Sequence, residues 1–317
     1  TLSSKSEGVG NFPFFYIIKE SMKVVKPTTY NSALHLVSTT AVETHAAYSS
    51  GTTYATGDKV NYGGFIYQSL VSSNLNHQPD ISPLEWVKLG PDNRSAMFDT
   101  EVSTATTATT SLTVVLSPGY ISSLAFFNIM GSTLSVSITD SPGGTVVYTK
   151  TIMLDGAIIA DWYQYFFEPS AQLTEVVLTD IPPYFNARVT VTITGTTVQI
   201  GSMIFGTVYD LGATQYGTNL GIIDYSKKDT SEAGVTTFIK RGFSKRMQAQ
   251  MMIDNTQITK TQKVLSELRA TPAVWIASDD SLYVALSMLG FYKDFNIDIS
   301  YPSKSLCTLE VESLTQN

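Results

Sequence analysis

Apolar and hydroxyl side chains alternate through the middle of the chain. Leu134, Val136 and Ile138 interleave with Ser135, Ser137 and Thr139. Val189, Val191 and Ile193 interleave with Thr190, Thr192 and Thr194 until Gly195 ends the run. A period of two is what a strand with one buried and one solvated face requires. Asp140-Ser-Pro-Gly-Gly144 supplies the residues of a hairpin turn, and Thr145–Ile152 reads as its return strand. Strands separated by Gly/Pro turns predict a β-sandwich. Ahead of it, Thr100–Ser117 holds ten Ser or Thr in eighteen residues and reads as a linker running into a strand at Leu112–Leu116.

The period changes only once with conviction. Ile258, Val264, Leu265 and Leu268 fall on one helical face, between a capping-box pair (Asp254, Gln257) and a stop at Thr271-Pro272. Around this helix the pattern predicts strands at Thr236–Ile239, Met247–Ile253, Ala273–Ala277, Tyr283–Leu289, Phe295–Ser300 and Leu306–Glu312. The last region is therefore an α+β unit with one helix. Phe12–Ile18 is very apolar for a terminus and predicts either an extra edge strand or an arm docked on a neighbour.

Charge sharpens the divisions. In residues 99–205, eight carboxylates face only Lys150 and Arg188, whereas residues 206–317 hold eleven basic and twelve acidic groups. The shifts predict an N-terminal arm and strands over 1–46, a small module over 47–98, a sandwich over 99–206 and an assembly unit over 207–317. Overall, 43% hydrophobic and 15% charged residues give ample core material and exclude bulk disorder. A net charge of −7 argues against nucleic acid as the main partner. No apolar run is long enough for a membrane span, so no membrane insertion is expected.

Catalytic patterns are missing. His35, His45 and His77 have no metal or triad spacing, and no nucleophile elbow, P-loop or dinucleotide fingerprint occurs. Asp279-Asp280 beside Ser281 reads as a solvated turn, and Cys307 as a buried structural thiol. Asn93-Arg94-Ser95 matches a glycosylation sequon by chance. The expectation is a non-enzyme with no cofactor and no metal. The basic cluster Lys240, Arg241, Lys245 and Arg246, with Lys227 and Lys228, reads as solvated strand ends or as a subunit contact.

Residues 47–90 carry Tyr48, Tyr54, Gly57-Asp58, Gly63-Gly64-Phe65-Ile66-Tyr67, Pro79 and Glu85-Trp86 in an order that resembles the chitin-binding type of carbohydrate-binding module. That resemblance implies a three-stranded β unit with Tyr54, Tyr62 and Trp86 as carbohydrate-binding residues. A small module also spends aromatics on its own core, which gives Trp86 a structural alternative. Where chitin-binding members place adjacent tryptophans, this chain has Leu70-Val71-Ser72. The middle unit, through Ser123–Phe127 and Val198–Gly206, resembles a galactose-binding-like sandwich.

From Met22 onward, this module order resembles tail-associated structural proteins of bacteriophages. Further motifs of the resemblance are Asn93–Asp99, Gly221–Ser226, Lys245-Arg246-Met247, Arg269–Pro272 and Gly290–Phe295. The last unit is similar to the tail-tube type of β fold. The resemblance implies a mainly β, multidomain structural component of a tail tip or baseplate, located in the virion. Its partners would be copies of itself and other phage tail proteins. The alternative is an adhesion protein that recognises host-surface glycan.

Overall fold

The computed structural model describes residues 17–99, 103–154, 162, 166, 172–230, 234, 236–278 and 285–315. The chain is mainly β, with one helix of more than a single turn among the described residues. Two sheets packed face to face form one core. Strands Ser111–Leu116, Thr133–Thr139 and Arg188–Thr194 pair antiparallel and turn Leu112, Val114, Leu134, Val136, Val189, Val191 and Ile193 inward. Their Ser and Thr positions face water and bond across strands, as Thr113 does with Thr192. The opposing sheet supplies Leu124, Phe126, Ile200, Met203 and Phe205. The Asp140–Gly144 turn forms as expected, with the Asp140 carboxylate accepting from the Thr145 amide.

The second core is a closed barrel. Its six strands are Ile17–Pro27, Ala273–Ile276, Ser287–Asp298, Lys304–Ser313, Phe243–Asp254 and the end of Val198–Gln215, and the ring closes where Ala213 pairs with Met252. Ile17–Pro27 lies between Val198–Gln215 and Ala273–Ile276, so the beginning of the chain completes a barrel otherwise made from its end. The segment read as 1–46 thus divides: Leu36–Thr39 joins the sandwich sheet instead. The part of Phe12–Ile18 before Ile17 lies outside the described residues.

One strand serves three cores. Along Val198–Gln215, Phe205 enters the sandwich and Leu211 the barrel, while Ile204 and Val208 pack in a third cluster between the two. That cluster also holds Ala125, Phe127, Val25, Val274 and Leu289. Ser123–Phe127 is consequently buried on both faces, which explains its unbroken apolar run. Gly206 sits at the crossing. A Cβ there would lie 2.0 Å from the Lys26 carbonyl oxygen, so only glycine lets the N-terminal strand approach.

Helix Ile258–Glu267 contributes Val264 and Leu265 to the barrel core, joined by Leu268 just after its end. The Tyr292 hydroxyl donates to the Leu265 carbonyl at 3.0 Å. Two sequence expectations need correction here. The capping box does not form: Asp254 bonds Lys304, and Asn255–Gln257 is a 3-10 turn leading into the helix. The strand expected at Phe295–Ser300 and the described part of that expected at Tyr283–Leu289 meet in one strand, Ser287–Asp298, while Tyr283 and Val284 lie outside the described residues. Gly290 looks like a break but sits mid-strand, because a Cβ would lie 2.0 Å from the Glu312 carbonyl oxygen.

Candidate assembly surface

Strand Asn219–Asp224 ends the large sheet, pairing only with Phe243–Asp254, and its residues are exposed apart from half-buried Ile223. Beyond it, Lys227–Thr230 pairs with Thr236–Ile239 as a two-stranded ribbon in which all eight residues are exposed. Phe238 is 75% and Ile222 68% accessible, with Leu220 and Ile239 also exposed. A two-stranded hairpin without a sheet or helix to cover it is at best marginally stable in water. Large apolar side chains on an open edge are what native proteins ordinarily remove.

The root of this ribbon is well held. Tyr225 donates its hydroxyl to a Glu312 carboxylate oxygen at 2.9 Å, and Lys293 forms an ion pair with the same carboxylate. Burial alone would raise the pKa of Glu312. Hydrogen bonds from Lys293 and Tyr225, with the charges of Lys293 and Arg246, outweigh it and hold the carboxyl below its ordinary value. The Arg241 amide donates to Ser226 Oγ at 3.1 Å.

The structure separates the four basic residues expected to form an interface. Lys240 and Arg241 are exposed at the base of the ribbon. Lys245 instead reaches the sandwich edge and pairs with Glu175. Arg246 is exposed and lies opposite Glu312 across the strands. The Asp279-Asp280 stretch, read from sequence as a solvated turn, lies outside the described residues.

The aromatic residues of the small module point inward. Trp86 is 3% exposed, donates its indole N–H to the His77 carbonyl at 2.9 Å, and meets Tyr54 edge-on at 5.2 Å between centroids. Tyr54 is also buried, and its hydroxyl accepts from the Ser49 amide. Tyr62 is half-buried against Tyr48. The three do not form an exposed platform. Asn93 of the sequon is likewise spent, bonded to Val42 and Thr107. No protein-family profile and no curated protein sequence matches this chain.

A cleft of about 600 Å³ opens where the small module, the Pro27–Ser32 connection and the barrel rim meet. Phe65, Phe98, Phe205, Pro272, Leu289 and Leu314 line it, with the Gly63-Gly64 turn at one edge. Tyr30 stacks on Phe98 at 3.9 Å between centroids. Its hydroxyl has no hydrogen-bond partner among the described residues, and burial with the Asp92 charge raises its pKa to about 12. Cys307 is buried, and burial raises its thiol to about 11, so it is a core residue. Among the described residues no group of three His, Cys, Asp or Glu could hold a metal.

Sequence reasoning found the strand Thr236–Ile239 but not its partner Lys227–Thr230, and it passed over the cleft. The signal for the ribbon was Thr236-Thr-Phe-Ile239 between lysines, a strand with no second apolar run to cover it. The cleft had no local signal, because its walls come from seven separate stretches of chain.

Proposed function

We propose that this protein is a non-enzymatic structural component of a bacteriophage tail tip or baseplate. It assembles with copies of itself through the barrel and carries the sandwich and small module outward. The observation that carries the reading is the uncovered apolar ribbon with its open neighbouring strand, a surface that gains stability only against another chain. The resemblance in module order supplies the tail context. Tyr54 and Trp86 support this reading over glycan adhesion, since their rings are committed to the module core.

Sedimentation of the full chain should show a concentration-dependent oligomer, and negative-stain images should show rings. Antibody against the chain should label the tail end of phage particles. A chain that stays monomeric at high concentration, or particles that take no label, would sink the proposal.

A further inference from the structure

We propose that the ribbon of one copy seats in the junction cleft of the next, a head-to-tail contact that closes into a ring. This rests on the assembly reading above and names the two halves of the contact. The halves match in chemistry. The ribbon offers Phe238 and Ile239 as exposed apolar anchors, and interfaces concentrate their binding energy in such side chains when a pocket desolvates them. The cleft offers walls of Phe65, Phe98, Leu289 and Leu314.

Charge agrees. Lys227 pairs with Asp229 in the same strand, which leaves Lys228, Lys240 and Arg241 as a net positive flank to the apolar ribbon residues, whereas among the described residues the cleft lining contains Asp99 and no basic side chain. The nearby Lys88 is engaged over the Phe65 ring, 3.1 Å from its centroid. Placement agrees as well. Leu289 and Leu314 flank the paired residues Gly290 and Ser313 at one end of the barrel. The next strand around that same end, where Arg246 faces Glu312, leads into the pair Phe243 and Asp224 from which the ribbon springs. The ribbon does not fill its own cleft, since Phe238 is 75% exposed. Two different patches make the contact heterologous, the type from which rings are built when the rotation between copies closes.

The test uses the full chain. Phe238→Asp removes the anchor. Thr29→Trp and, separately, Ser32→Trp fill the cleft from exposed positions on its lining. Mass photometry should find the wild type oligomeric and each variant monomeric, with the circular-dichroism spectrum of the folded chain unchanged. An equimolar mixture of Phe238→Asp with Thr29→Trp should give a species of twice the monomer mass and nothing larger, because only one good ribbon and one good cleft remain.

As a check that keeps the Phe238 anchor and needs no bulky substitution, a Lys240→Cys chain mixed with a Thr29→Cys chain should form an intermolecular disulfide. Cleft variants that assemble like the wild type, or cysteine chains that fail to link within an intact oligomer, overturn the contact but leave assembly standing. A wild type that never assembles overturns the assembly reading itself, and this contact with it.

Discussion

The side-chain amide of Asn93 pairs with the backbone of Thr107 as another strand would. Its Oδ1 accepts from the Thr107 amide at 2.9 Å, and its Nδ2 donates to the Thr107 carbonyl at 3.0 Å. The same Nδ2 donates to the Val42 carbonyl at 2.8 Å, and the Asn93 amide donates to Glu43. One residue thus fastens the exit of the small module to two other stretches of chain.

Removing that side chain leaves three backbone bonds unmade, each at partly exposed positions. Asn93→Ala should destabilise the protein by about 1–3 kcal/mol and increase the rate of proteolysis within residues 99–112. Asn93→Asp keeps the acceptor but not the donor and should fall between. A cleavage rate equal to that of the wild type would show that this link does not hold the module.

Trp86 fills the centre of the small module together with Tyr54, Val60 and Tyr67. Trp86→Ala should cost about 3–5 kcal/mol, and the near-ultraviolet signal of the module should collapse. A folded variant that loses only polysaccharide binding would restore the adhesion reading.

Lys245 and Arg241, four residues apart, should behave differently on charge reversal. Lys245 compensates Glu175, whose side chain is only 10% exposed, so Lys245→Glu should destabilise the monomer by roughly 1.5–3 kcal/mol. Arg241 is exposed, and Arg241→Glu should leave the melting of the dilute monomer unchanged while weakening assembly. Equal effects on melting would contradict this division.

Acid should loosen the ribbon root. The Glu312 carboxyl is held below its ordinary value of 4.5 in the folded protein, so its pairing with Lys293 and Tyr225 contributes fully above that value. The contribution is lost as pH falls through the lower, folded value. The stability difference between wild type and Glu312→Gln should therefore be constant near neutrality and shrink below about pH 4.5. A difference that grows on acidification would reverse the sign of the argument.

The strands of the sandwich were legible because one face meets water: Leu134, Val136 and Ile138 could not alternate with hydroxyls for any other reason. The helix was legible from its apolar stripe, although its start was not, since Asp254 bonds a lysine fifty residues away in preference to the nearby amides. The joining of Phe295–Ser300 to the strand before it was not legible, because nothing in Gly290–Asp294 alternates as a half-buried strand would. Trp86 shows the limit at the candidate site. A ring that stacks on sugar and a ring that fills a small core occupy the same place in the pattern, and only burial separates them. Phe238 shows the converse: Thr236–Ile239 reads as an ordinary strand, and only the want of a second apolar run beside it marks its faces as uncovered. The cleft depended wholly on contacts between distant segments.

The position of Ile17–Pro27 inside the barrel sets an order on synthesis. Lys23 pairs with Asp210 on one side and with Ile276 on the other. About 190 residues must leave the ribosome before the first of these neighbours exists, which at ordinary translation speeds takes on the order of 10–40 s. Through that interval Met22, Val24 and Val25, all destined for full burial, have no sheet to enter. The small module between them and their partners can fold in the meantime, and the sandwich can close once Val198–Gln215 emerges. Ile17–Pro27 is made long before its partners, and the barrel closes only after Lys304–Ser313 has been made.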